Sequence, residues 1–196
     1  MYFGYVLEGM SEVLRGDWTI DPQSQALRIS VLRALSSSFR HDQDGTYSTS
    51  RKRYIITLAD RVHLDFWQAP SHFNAIVSPL VSQLSSAPIS QIYAEVVPAI
   101  TNFAGAASSS DHHKELNALL LKLVRSENAR VRLAAVKCQQ SLTQKLGDEW
   151  LGLLPEMLPL INELQDDDDE AVERETLSWI KLIESILGES LNSMLQ

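Results

Sequence analysis

Sliding the chain along itself by 41 residues brings like onto like. Leu120 falls on Ile161, Leu123 on Leu164, Val131 on Val172, Leu142 on Ile183, Leu146 on Leu187, Gly147 on Gly188 and Asp148 on Glu189. A shift of 42 places Ile89 on Val131, Ile92 on Ala134, Ile100 on Leu142 and Gly105 on Gly147. Within a unit the apolar steps are three and four. Val131, Ala134, Ala135, Cys138, Leu142 and Leu146 form one stripe on a 3.6-residue period, and Val172, Leu177, Ile180, Ile183 and Leu187 form another. Each unit therefore reads as a helix, a short polar turn and a second helix ending in glycine. A single unit cannot cover its own apolar stripe, so neighbouring units must stack.

The spacing predicts helices over roughly 3–15, 22–40, 51–67, 71–86, 88–105, 112–125, 129–146, 150–165 and 169–187. Breakers separate them. Asp21-Pro22 supplies an N-cap with proline at the first helical position. Ala87-Pro88, Gly105, Gly147 and Gly188 mark ends, and Ser108-Ser109-Ser110-Asp111 reads as a loop ending in a cap. No stretch alternates in period two, and the one hairpin-like dipeptide, Asp44-Gly45, reads as part of a loop from His41 to Ser50. Pro79, Pro98, Pro155 and Pro159 fall inside predicted helices and should bend them.

A two-helix unit of about 40 residues is the period of HEAT or armadillo repeats, and two helices rather than three favour HEAT. The expected fold is all-α: a right-handed α-solenoid of about four HEAT-like helix pairs. The helix at Pro22 and the helix at Pro88 start too far apart for one repeat, so His41 to Trp67 reads as one irregular insertion. We expect a single repeat domain over 1–196, with units near 1–40, 51–105 (holding the extra helix), 112–146 and 150–187 and a tail over 188–196.

Charge is uneven. The net charge is −8, and the segment from Asp166 to Glu189 holds nine acidic residues against two basic ones. Such a segment repels phosphate and suits a basic protein surface. Asp166, Asp167, Asp168, Asp169, Glu170 and Glu173 are thus candidate partner contacts. The same run also serves as a solvated turn whose carboxylates favour the following helix N-terminus. It lacks the glycine and alternating ligands of a calcium loop, because Ala171 and Val172 stand there.

Two basic groups are candidates for RNA or an acidic partner. One is Arg51, Lys52 and Arg53, with Arg61, Tyr47 and Tyr54 nearby. The other is Arg125, Arg130 and Lys137 around one second helix. Arg132, beside them, is expected to pair with the acidic turn of a neighbouring repeat.

Residues suited to catalysis are scattered. There is no glycine-rich phosphate loop and no Gly-x-Ser-x-Gly elbow. His112-His113 points to two helix faces and reads as a solvated first turn rather than a metal site. His41, His63 and His72 have no partner ligands at suitable spacing, and His63 and Asp65 do not face each other on a helix. The single cysteine, Cys138, lies on an apolar stripe and reads as an inert buried thiol; one cysteine allows no internal disulfide. No cofactor, metal or small-molecule substrate is implied, and an enzyme is not expected. The start of the chain does not read as a signal peptide, and the most apolar segment, Leu151 to Leu164, is interrupted by Pro155, Glu156, Pro159, Asn162 and Glu163. Trp18, Trp67, Trp150 and Trp179 are expected in the core, at seams between repeats. Tyr2, Phe3, Tyr5 and Val6 would form an exposed apolar end unless further repeats stack there.

Several stretches carry a resemblance. They are Arg132-Leu-Ala-Ala-Val-Lys-Cys-Gln-Gln-Ser-Leu142, Leu146-Gly-Asp-Glu-Trp-Leu151, Leu154-Pro-Glu-Met-Leu-Pro159, Val172-Glu-Arg-Glu175, Trp179-Ile-Lys181 and Leu187-Gly-Glu-Ser-Leu191. Together they resemble the C-terminal end of the very large HEAT-repeat subunit of the small-subunit processome, a member of the transcription-linked UTP-A subcomplex. The match covers about residues 112–196; Tyr2-Phe3-Gly4-Tyr5 and Pro79-Leu-Val-Ser-Gln-Leu84 fit it further upstream. The resemblance implies a nucleolar scaffold that works beside the U-three snoRNA particle in early ribosome production and 18S rRNA maturation. Its implied partners are other UTP-A subunits and processome proteins, with pre-rRNA touched directly or indirectly, and no membrane. Two alternatives stand beside this reading: direct pre-rRNA binding through the basic helix faces, and a HEAT adaptor for transport or signalling partners.

Overall fold

The computed structural model describes residues 2–19, 21–47 and 66–191, and the side chains of 2–4 and 43–47 are outside that description. The described residues are helical, with no strand among them. We number the longer helices α1 (Tyr2–Arg15), α2 (Pro22–Tyr47), α3 (Pro70–Ser86), α4 (Val97–Ala106), α5 (Ser110–Val124), α6 (Ala129–Leu146), α7 (Leu154–Leu164) and α8 (Glu170–Leu187). Short turns of helix stand between some of them: a 3-10 turn Phe66–Gln68, an α turn Ile89–Gln91 leading into a π turn Ile92–Val96, and an α turn Asp148–Leu151. The chain forms two compact units, Met1–His113 and Lys114–Gln196.

In the first unit α1 packs against α3 and α2 against α4, so that like helices of successive pairs meet. The core between them is aromatic. Phe39 meets Trp67 edge-on at 4.7 Å and Phe103 at 5.0 Å, and Phe73 stacks on Phe103 at 5.2 Å. His112 extends the stack, lying flat on Phe73 at 4.0 Å. His113 is also buried, with its Nε2 2.9 Å from the carbonyl of Ala104. The expectation of a solvated first turn at His112-His113 is therefore wrong. That turn is covered by α3 and α4: His112 packs as an aromatic ring on Phe73, and His113 is held against Ala104 by its ring nitrogen.

Three other expectations are corrected here. His41 to Tyr47 is not loop: α2 continues to Tyr47, through Asp44-Gly45, because a lone glycine only weakens a helix already extended over many turns. The predicted helix 88–105 is not regular. Pro98 has no N–H to offer the carbonyl four residues back, and the segment before it widens into the π turn, where Val97 N–H reaches Ile92 O. Gly105 is no stop, since α4 runs to Ala106, and Ile89 is exposed, so the 42-residue match fails at both ends. The match holds where Ile92, Ala134, Ile100 and Leu142 are all buried. The helix expected over 51–67 lies outside the described residues except for Phe66 and Trp67, which sit in the 3-10 turn.

The second unit keeps the 41-residue correspondence. Leu120 and Ile161, Val131 and Val172, and Leu142 and Ile183 are buried pairs. Gly147 and Gly188 both end a helix, as the sequence predicted, and each does so with positive φ, 54° and 75°. The predicted helix 150–165 is divided into Asp148–Leu151 and α7, with Gly152-Leu153 between them and Pro155 in the first turn of α7. Leu177 leaves the expected stripe of α8: it is 40% exposed, and Thr176 and Trp179 take the inward positions. Cys138 is fully buried, and burial pushes its thiol well above the usual range.

Candidate interaction surfaces

Polar side chains in both units are used to join helices. Each tryptophan is buried and donates its indole N–H to a side chain on another element. Trp18 reaches Gln83 Oε1 at 2.8 Å, Trp67 reaches Ser38 Oγ at 3.2 Å, Trp150 reaches Gln139 Oε1 at 2.9 Å and Trp179 reaches Thr143 Oγ1 at 2.9 Å. Gln139 in turn donates to Asn117 Oδ1 at 2.9 Å, closing a buried relay across α5 and α6. At the end of α1, Arg28 Nε donates to Val13 O at 3.0 Å and Gln83 Nε2 to Leu14 O at 2.6 Å, capping carbonyls that the helix leaves open.

In the second unit, α6 and α8 pack together along a ladder of polar contacts. Its first rung is Arg132. Its Nε and Nη2 donate to the two carboxylate oxygens of Asp167 at 2.8 and 2.6 Å, and Nη2 also meets Asp168. Nη1 donates to the carbonyls of Ser126 and Glu127. One guanidinium thus ties the turn before α6 to the turn before α8, the pairing expected for Arg132. Burial pushes the Asp167 carboxyl up, but the Arg132 hydrogen bonds and charge outweigh it and leave the group below its ordinary value. The same bonds raise the Arg132 guanidinium. Further along, Lys137 pairs with Glu175 at 2.7 Å, and Gln140 Nε2 donates to Ser178 Oγ at 3.0 Å.

The acidic run therefore divides by role. Asp169 N-caps α8, its Oδ1 accepting from Ala171 N at 2.9 Å and Val172 N at 3.2 Å. Asp167 is buried under Arg132. Asp166, Asp168 and Glu170 are exposed, and Glu173 is half-buried. Glu170 and Glu173 line a shallow groove along α8 with Arg174, Leu177, Ser178 and Lys181. Leu177 is the apolar centre of that groove. The sequence had assigned it to the core because it sits at a plausible helical step. Only the burial of Thr176 in its place turns it outward.

Of the basic candidates, Arg125 pairs with Glu163 at 3.1 Å and Lys137 with Glu175, while Arg130 is exposed. Arg51, Lys52 and Arg53 lie outside the described residues, as do Arg61 and Tyr54. Among the described residues, no group of three or more His, Cys, Asp or Glu is placed to hold a metal ion, and no helix is long and apolar enough to cross a membrane.

No family model matches the chain. Curated proteins do. It is 52% identical over 171 residues, 87% of its length, to the U3 small nucleolar RNA-associated protein 10 of Phaeosphaeria nodorum. It is 47% identical over 196 residues, 100% of its length, to the protein of that name from Neurospora crassa, and 48% identical over 195 residues to that of Chaetomium globosum. The chain belongs to this family. It spans only 9% of the Phaeosphaeria protein and 10% of the other two. Family membership agrees with the resemblance carried by the stretches around Arg132, Trp150 and Trp179.

Proposed function

We propose that this chain is a non-catalytic scaffold segment of the small-subunit processome. In this reading it is the C-terminal portion of a right-handed HEAT α-solenoid. It acts in the nucleolus, through protein contacts with other UTP-A subunits, and supports pre-rRNA transcription and 18S rRNA maturation. The observation that carries the reading is the 47% identity over the whole chain to a relative named for association with the U3 small nucleolar RNA. The internal chemistry supports it: indoles, amides and the Arg132 guanidinium join helices rather than converge on a cavity.

The contact surface in this reading is the α8 groove. Leu177 offers an apolar anchor, Glu170 and Glu173 flank it, and Asp166 and Asp168 extend the negative charge. An apolar centre with a charged rim is the usual anatomy of a protein interface; the groove holds two carboxylates, Glu170 and Glu173, and two cations, Arg174 and Lys181, and the exposed Asp166 and Asp168 beyond it bias the surface toward a basic partner. The test is a tagged pull-down of the chain from nuclear extract, with and without RNase, read by mass spectrometry. Recovery of UTP-A subunits that survives RNase and drops at least fivefold with Leu177→Asp is the expected result. Recovery that vanishes with RNase, or only transport or phosphatase proteins in the eluate, would reject the protein-scaffold reading.

A further inference from the structure

The 41-residue correspondence in the second unit aligns more than its core. It also maps one outer helix face onto another. The groove along α8 is lined by Glu170, Glu173, Arg174, Leu177, Ser178 and Lys181. Their counterparts on α6 are Ala129, Arg132, Leu133, Val136, Lys137 and Gln140. Three of these counterparts hold α8 and its leading turn. Arg132 bonds to Asp167, Lys137 pairs with Glu175, and Gln140 donates to Ser178. Val136 stands on the same face, one turn from Arg132 and one turn from Gln140, and is fully buried. Its counterpart Leu177 is 40% exposed. The α8 groove is therefore the face on which a next helix would lie, as α8 lies on α6.

Its charges differ from those of the α6 face. On α6 the face brings donors, namely the Arg132 guanidinium, the Lys137 ammonium and the Gln140 amide. The α8 side answers with carboxylates and the Ser178 hydroxyl. In the groove Glu173 stands where Arg132 does, with Glu170 one turn before it, and Lys181 stands where Gln140 does. A second copy of this repeat would set the acidic turn at Asp167 and Asp168 against Glu173 and Glu170. Like charges brought together in this way are a barrier to association, so the face rejects its own kind. It suits a helix of the opposite polarity.

The existing contacts also give direction and spacing. The α6 residues ascend as 132, 137 and 140 while their partners ascend as 167, 175 and 178, so the two helices run parallel. We propose that the α8 groove receives one helix of a partner protein, laid parallel to α8 in the pose that α8 takes on α6. That helix has a base in its leading turn opposite Glu173 and an aliphatic side chain on Leu177. It has a carboxylate opposite Lys181, at the spacing that separates Asp167 from Ser178. The exposed Asp166 and Glu170 add negative charge at the end where the base sits. This inference rests on the α8 groove being the contact surface, and it names the class of partner and its pose.

The probe is a synthetic peptide copying residues 165–188 with Asp167→Lys, Asp168→Lys and Ser178→Glu, titrated with the full chain by fluorescence anisotropy. The control peptide keeps both aspartates and carries Ser178→Lys, which puts acid first and base last. Circular dichroism checks that the two peptides are equally helical and that each variant of the chain is folded. The probe should bind about threefold tighter than the control or better, the scale of exposed ion pairs. Leu177→Asp in the chain should weaken the probe about tenfold, the loss of a buried aliphatic contact. Glu173→Lys in the chain should reverse the order of the two peptides. The proposal is overturned if the probe does not bind, if the control binds as tightly, or if the order survives Glu173→Lys. The pull-down separates this proposal from the reading beneath it. Loss of UTP-A subunits with Leu177→Asp but not with Glu173→Lys would keep the surface and reject the helix polarity. Recovery unchanged by either substitution would reject the surface itself.

Discussion

Arg132 and Asp167 show what a single side chain does in this chain. Both are largely buried, with 12% and 7% of their side chains exposed, and the bonds between them are charge-assisted and two-pronged. Removing one partner leaves the other charged and buried, so Asp167→Asn should lose about 2–4 kcal/mol in a urea unfolding titration. The pH dependence follows from the direction of the shift. The folded-state carboxyl lies below its ordinary value, so its contribution is complete at neutral pH, above the unfolded pKa. It is lost as the pH falls through the folded-state value. Asp167→Asn should therefore show a shallower loss of stability between about pH 5 and pH 2 than the original chain. A parallel acid limb would refute the assignment. Gly16 is a second residue with a defined role. A Cβ there would lie 2.1 Å from Arg28 Nη2, so Gly16→Ala must push the guanidinium off the end of α1. We expect a loss of about 1–2 kcal/mol, the scale of a broken buried hydrogen bond. In an Arg28→Met background the same change should be nearly neutral. Equal losses in both backgrounds would sink the explanation. The Arg132 pairing was legible because a basic residue follows the first apolar position of α6 and an acidic run sits one repeat on. The Arg28 cap was not legible, because nothing in the local sequence separates this arginine from a surface one.

At the scale of elements, the helix ends were read better than the helix interiors. Asp21, Asn128 and Asp169 each accept a hydrogen bond from a backbone N–H in the first turn that follows, as their residue types imply. Interiors went astray where tertiary packing overrode a local signal. Asp44-Gly45 was absorbed into α2, Gly152 divided a helix read as continuous, and Thr176 displaced Leu177 from the core. The two terminal glycines look equivalent in sequence but differ in backbone. Gly188 has φ 75° and ψ 10°, the left-handed helical region that asparagine also visits. Gly147 has φ 54° and ψ −128°, a region that residues with a Cβ avoid. Gly188→Asn should therefore cost less than about 1 kcal/mol, and Gly147→Asn about 2–3 kcal/mol. Thermal unfolding of the two variants checks the order, and equal shifts would contradict the backbone assignment.

The same asymmetry of signals holds for the whole molecule. The repeat period and the apolar stripes made an all-helical chain legible, because an amphipathic helix gains a core only by burying its stripe on a neighbour. The candidate surfaces were less legible. A solvent-facing Leu177 differs from its neighbours only in what packs beside it, which no spacing rule reports. The stacking principle makes a last prediction. In such a chain each pair is stabilised by its immediate neighbours, so damage should stay local. Trp179 is nearly fully buried on α8 and bonded to Thr143 on α6. Trp179→Ala removes a large buried ring and its partner bond, and should cost about 3–5 kcal/mol. Amide hydrogen exchange followed by mass spectrometry should show faster exchange in α6 and α8, with α1 to α4 keeping their protection. Uniform loss of protection from α1 to α8 would mean that the chain unfolds as one cooperative body. The additive, neighbour-by-neighbour account of its stability would then be wrong.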